Sequence, residues 1–210
     1  MFAKDYRRAA WNKLSGHWIE VVVAYVIYSL MVAVAGTTGI GLLLLSGVFT
    51  VGMSLYVLQL VRFGNFKLEY IFGGFSQGLG SNIVAGILVP LFTFLWSLLF
   101  WIPGIIKTYS YSMTYYILAD NPEMAPTDAI TESRKLMNGK KWKLFCLDFS
   151  FIGWYLLSVL TFGILALWIA PYHMTARAEF YESIKPQPAQ DDAFFGGMAN
   201  DGAERQTISF

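Results

Sequence analysis

Apolar residues run almost without interruption through six stretches of this chain, at about 17–35, 40–61, 82–102, 104–119, 144–160 and 164–180, with polar and charged residues gathered between them. A bilayer takes roughly 20 apolar residues as one helical crossing. Each stretch has about that length, the fourth being short. Gly36-Thr37-Thr38-Gly39, Pro103-Gly104 and Thr161-Phe162-Gly163 read as tight turns within three helical hairpins. The predicted fold is therefore all-α: a polytopic helical membrane protein of about six transmembrane helices, with interfacial helices on the cytoplasmic side.

The segments outside the spans have patterns of their own. In residues 1–15, Phe2, Tyr6, Ala9, Ala10 and Lys13-Leu14 recur at helical spacing while Lys4, Arg7 and Arg8 lie elsewhere, which predicts an amphipathic N-terminal helix. That preamble argues against cleavage at Ala33-Val34-Ala35, which imitates a signal-peptidase site. Between Gly64 and Ser81, Phe66, Tyr70, Ile71, Phe72 and Phe75 suggest a short interfacial segment ahead of a glycine-rich turn, with Ser81 or Asn82 capping the third span. Residues 126–138 form a further surface helix in this reading, with Pro126 in its first turn and Gly139 as its stop. Ala129, Ile130, Ser133, Leu136 and Met137 make its apolar or small face, opposite Asp128, Glu132, Arg134 and Lys135. The domain reading is 1–15 for the amphipathic helix, 16–182 for the membrane domain and 183–210 for a disordered cytoplasmic tail rich in Pro, Gly, Asp and Gln.

Composition fits this plan. Of the 210 residues, 56% are hydrophobic and only 14% charged, far from the quarter or so of charged residues usual in soluble domains. A net charge of +1 excludes a broad basic surface, so nucleic acid is not an expected partner. The single cysteine, Cys146, excludes an internal disulfide and reads as packing. Fourteen of the fifteen lysines and arginines fall on one side of the six-span layout, leaving Lys107 on the other. The positive-inside rule then places both termini in the cytoplasm. Lys140, Lys141, Trp142 and Lys143 mark a re-entry point at headgroup level, over anionic lipid.

The stretch 98–122 is the expected organising element. It carries Lys107 and hydroxyls at Thr108, Tyr109, Ser110, Tyr111, Ser112, Thr114, Tyr115 and Tyr116, too many to face lipid, so the other spans are expected to pack around it. Its Ile102-Pro103-Gly104-Ile105-Ile106-Lys107 and Tyr109-Ser110-Tyr111-Ser112-Met113 runs, followed by Ile117-Leu118-Ala119-Asp120-Asn121-Pro122, Ala129-Ile130, Ser133-Arg134 and Trp154-Tyr155, resemble the bacterial integral membrane family called domain of unknown function 975. More distantly, the arrangement is similar to the membrane domain attached to some glycerophosphodiester phosphodiesterases. The resemblance covers about residues 1–182 and implies a membrane fold with no catalytic residue to carry over.

Three sets of polar groups are candidates for function. Counting outward from Phe162 puts Asp148 level with Arg177, with His173 one turn deeper, so an intramembrane Asp148–Arg177 pair is expected. Such a pair locks the hairpin or, with His173, relays an ion or proton; the alternative is that Arg177 snorkels to the headgroups. Lys107, Tyr111 and Tyr115 share a helix face beside Ser112, which either packs helices closely or lines a polar path. Glu20, close to His17, is a weaker member of the polar zone, and a first-turn acid favoured by the helix dipole explains it without function.

Prolines 90 and 171 predict kinks, and Ser46, Thr50 and Ser54 form a small-residue packing stripe. HExxH, GxSxG and the phosphate-cradle glycine patterns do not occur, and no cofactor is expected. The expected function is a non-enzymatic bundle of the bacterial cytoplasmic membrane that assists transport, interacts with lipid or scaffolds a protein partner. Its expected partners are the lipid bilayer, anionic headgroups and another membrane protein. A transporter-like polar path along the fourth span and a lipid-modifying intramembrane enzyme are the alternatives.

Overall fold

A computed structural model describes residues 3–37, 40–76, 78–99, 101–161 and 163–186. All regular structure within them is helical. The elements are α1 (Ala3–Leu14), α2 (Trp18–Gly36), α3 (Ile40–Phe63), a 3-10 turn (Leu68–Phe72), α4 (Gly73–Ser76), α5 (Leu79–Leu99), α6 (Trp101–Tyr111), α7 (Thr114–Asp120), α8 (Pro126–Leu136), α9 (Lys141–Leu160) and α10 (Ala166–Ile184). Among the described residues four helices are long and apolar enough to cross a membrane: α2, α3, α5 and α9. Their outward faces stay apolar where no protein covers them. Leu30, Val34, Phe94, Leu98, Val159 and Leu160 are all more than 60% exposed, the pattern of helices whose solvent is lipid.

The central helix is α3, not the hydroxyl-rich segment. α2, α5, α7, α10, α4 and the 3-10 turn all pack against it, and Val48, Tyr56, Leu58 and Leu60 are buried along its length. Glycines let the neighbours approach. A Cβ at Gly47 would stand 2.7 Å from the Cα of Gly86 on α5, and one at Gly52 would stand 1.9 Å from the carbonyl oxygen of Ile71. On the Ser46, Thr50, Ser54 stripe, Thr50 and Ser54 donate their hydroxyl protons to carbonyls one turn back on α3 itself.

The predicted fourth span is two short helices. The turn expected at Pro103-Gly104 falls a few residues earlier, between Leu99 of α5 and Trp101 of α6, so Pro103 and Gly104 lie in the first turn of α6, where a proline's missing N–H is needed by no partner. Gly104 instead fits against α5, since a Cβ there would come within 2.8 Å of the Cα of Ser97. The interruption falls at Ser112–Met113, between helices of 11 and 7 residues, each too short to cross alone. Ser133 on α8 stabilises it. Its hydroxyl donates to the carbonyl of Ser110 at 2.8 Å and accepts from the N–H of Met113 at 3.2 Å, satisfying two backbone groups that the broken helix leaves without intrahelical partners.

α8 starts at Pro126 as read from its sequence but ends at Leu136, two residues before the predicted 138, and keeps the predicted face, with Ala129, Ile130 and Ser133 buried and Met137 buried just past its end. That face meets α5, α6 and α7, however, so α8 is part of the bundle wall. The 3-10 turn and α4 likewise pack on α3, with Ile71 fully buried while Phe72 and Phe75 are exposed. Asn82 is not a cap. α5 begins at Leu79, and the buried Asn82 side chain donates to the carbonyl of Gly74 at 2.8 Å.

α1 docks through Tyr6, Ala10 and Leu14 on α9 and α10, and Tyr6 hydrogen-bonds Ser183, so the described chain ends lie at one end of the bundle. Pro90 and Pro171 sit inside continuous helices. Helix α10 continues to Ile184, and the remainder of the expected tail, residues 187–210, lies outside the described residues, as do Thr38, Gly39 and the pivot residue Phe162.

Candidate functional site

A polar cluster is built where α9 faces α10. Asp148 stands on α9; His173 and Arg177, four residues apart, share one face of α10. Arg177 donates through Nε to Asp148 Oδ1 at 2.9 Å and through Nη2 to Oδ2, a two-point grip matched to the planar guanidinium. His173 joins them: Nε2–H donates to Asp148 Oδ1 at 2.8 Å, and the Tyr155 hydroxyl at 3.2 Å then donates to Nδ1. The ring of Phe151 stacks on the imidazole with centroids 4.5 Å apart. Tyr155, which the sequence reading passed over, thus extends the cluster by one link. The signal was present, because Tyr155 is seven residues after Asp148 and so lies on the same face of α9.

Beside this cluster lies a cavity of about 400 Å³, bounded by α2, α3, α5, α6, α7 and α10. Tyr111, Ser112 and Tyr115 line it, as do Tyr28, Tyr109 and Tyr116, and Arg177 is its one charged wall residue among those described. Apolar wall is supplied by Met53, Val57, Val89, Ile105 and Met174. The hydroxyl-rich segment is therefore less wet than its composition suggests. Thr50, Ser54, Thr93, Thr108 and Ser112 each donate their proton to a carbonyl three or four residues earlier in the chain, which leaves fewer free hydroxyl donors on the wall. The walls combine aromatic and aliphatic surface with a guanidinium at one side. Ile105 and Thr108 are exposed as well as lining, so the cavity opens beside α6 on a face that also presents Ile106.

Lys107 does not share that cavity. It lies over the ring of Trp96 at 4.2 Å and lines a separate groove with Tyr111, Thr127 and Arg134. The loop count sets Lys107 apart from the other basic residues; in the structure it lines one groove with Arg134. The cause is α8, which folds back on α6 through Ser133. Glu20 is also separate from the Asp148 cluster: it meets His17 at 3.1 Å in the first turn of α2, both side chains about half exposed, with His17 stacked on Phe66.

The sequence reading missed a second ionic network. Arg62, at the end of α3, grips Asp120 at the end of α7 with Nη1–Oδ1 at 2.6 Å and Nη2–Oδ2 at 2.8 Å, and meets Glu182 of α10 at 2.5 Å. Tyr181 donates to Asp120 Oδ2 at 2.9 Å and Lys185 reaches the same oxygen at 2.5 Å. Burial by itself would raise the Asp120 pKa. The hydrogen bonds from Arg62, Lys185 and Tyr181 outweigh it and hold the carboxyl below its ordinary value of 3.8. Two cations and two carboxylates, charge-balanced, thereby fasten three helix ends. Among the described residues no group of three His, Cys, Asp or Glu side chains is placed to hold a metal ion.

Residues 99–187 match the model of a family described as Protein of unknown function (DUF975), a stretch that runs from the end of α5 past the end of α10. The family resemblance read from the motifs holds over that stretch; the more distant likeness to phosphodiesterase membrane domains is not among the matches. No curated protein and no solved structure matches the chain.

Proposed function

We propose that this protein is a non-enzymatic bundle of the bacterial cytoplasmic membrane that holds a lipid-like amphiphile between its helices, in support of transport, lipid organisation or assembly of a membrane partner. The observation that carries this reading is the 400 Å³ cavity, with aliphatic and aromatic walls, a guanidinium on one side and an opening beside the exposed apolar face of α6. A cavity of that size and lining accepts an apolar body whose polar end is fixed by a few groups. In this reading α6 with α7 supplies a fifth crossing and α10 a sixth, and the distribution of basic residues along the chain supports cytoplasmic termini.

A transporter-like polar path is the second reading, favoured by Tyr111, Ser112 and Tyr115 on the cavity wall. Against it, a water path needs free donors, and the Ser112 and Thr108 hydroxyls already donate to carbonyls three or four residues earlier in the chain. An enzyme needs converging nucleophile, base or metal ligands. The cavity wall supplies tyrosines and one arginine.

The test is lipid retention by protein extracted in a mild detergent and weighed by native mass spectrometry. Thr93→Trp and Val89→Phe fill the cavity. The wild type is expected to keep a lipid adduct through collisional activation that strips peripheral lipid, and both variants to lose it while retaining their melting temperature. Adducts equal in all three proteins contradict the reading.

A further inference from the structure

A groove of about 360 Å³ lies between α5, α6 and α8. Lys107 and Arg134 face it together with the hydroxyl-bearing Thr127 and Thr131 and the rings of Phe92 and Trp96. Among the described residues neither cation has a carboxylate within ion-pair distance, in contrast to Arg62, Lys13, Arg177 and Lys185, each of which has one. Lys107 has only the face of Trp96 at 4.2 Å, and the charges of both Arg134 and Lys141 bear on its ammonium. Like charges converging on a partly desolvated groove repel, and an anion placed between them removes the cost.

We propose that this groove binds the phosphate of an anionic phospholipid, with Lys107 and Arg134 as the charged ligands, Thr127 and Thr131 as hydroxyl donors, and Trp96 holding Lys107 in position. The source is the bilayer because α5, which supplies Phe92 and Trp96 to the groove, is long and apolar enough to cross it and leaves Leu91, Phe94 and Leu95 exposed on the same stretch. The apolar sides of Phe92 and Trp96 then meet the glycerol and upper chain. This site is additional to the interhelical cavity and shares with it only the Tyr111 wall, so either reading can fail alone.

The experiment reconstitutes the full chain in nanodiscs containing equal amounts of phosphatidylglycerol and phosphatidylcholine, and reads the bound-lipid ratio by native mass spectrometry after ejection. Wild type is expected to retain phosphatidylglycerol preferentially. Lys107→Gln/Arg134→Gln is expected to reduce that preference about tenfold, the scale of losing charge-assisted hydrogen bonds. The adduct that Thr93→Trp abolishes should persist in this variant. Lys107→Arg/Arg134→Lys keeps both charges and should keep most of the preference, separating headgroup binding from misfolding. An unchanged ratio in Lys107→Gln/Arg134→Gln overturns the assignment. So does loss of the phosphatidylglycerol adduct when inorganic phosphate is added at the lipid's own concentration, because the groove would then be a site for soluble phosphate.

Discussion

Ser133 has one hydroxyl and serves two backbone groups, the carbonyl of Ser110 and the N–H of Met113. It is fully buried, so no water can replace it. Ser133→Ala should therefore leave two unpaired polar groups and cost about 1–3 kcal/mol for each, read as a lowered melting temperature in detergent. Asp148 and Arg177 act as a pair in the same sense. A lone charge inside a bundle is expensive, and removing one partner of a buried ion pair costs roughly 3–5 kcal/mol. Asp148→Asn is expected to destabilise by less than that, because the Arg177 side chain is 34% exposed, while Asp148→Asn/Arg177→Gln should recover part of the loss, so a double-mutant cycle shows a favourable coupling. Additive effects would mean that the contact contributes nothing.

The elements divide by what sets them. α2, α3 and α9 could be read from the chain because length and apolar content decide them locally, and the buried face of α8 was legible from its 3.6-residue period. The Asp148–Arg177 contact was legible because a hairpin of two regular helices places residues equidistant from its turn at one level. The break between α6 and α7 was not, because Ser133, twenty residues from Met113, supplies the missing hydrogen bonds. Nor was the central position of α3, since the space a glycine leaves has no meaning until its neighbour is known.

The Arg62–Asp120–Glu182–Lys185 network escaped for a related reason: its members are spread from α3 to the end of α10, and counted by loop they look like headgroup-facing charges. Its pH behaviour follows from Asp120, whose carboxyl is held below 3.8 in the folded protein. A depressed carboxyl gives stability that is complete above the unfolded value and is lost as pH falls through the folded one. The melting temperature is expected to decline as pH drops below about 4, and Asp120→Asn should flatten that decline while lowering stability at neutral pH. An equally steep acid limb in the variant would place the sensitivity elsewhere.

At the scale of the whole molecule, the bundle joins an apolar exterior on α2, α5 and α9 to an interior cavity that opens beside α6, with ionic clusters fastening α9 to α10 and α3 to α7 and α10. On the proposed reading, such a body takes a chain-bearing molecule from the bilayer without exposing it to water. The most direct measurement is a density map of the full-length protein in nanodiscs of native lipid, at a resolution that distinguishes side chains. Our account predicts elongated density inside the cavity, running between Met53, Val57, Val89 and Met174, with its polar end toward Arg177. A cavity closed by its own side chains, or filled only by discrete water-sized peaks, would contradict it.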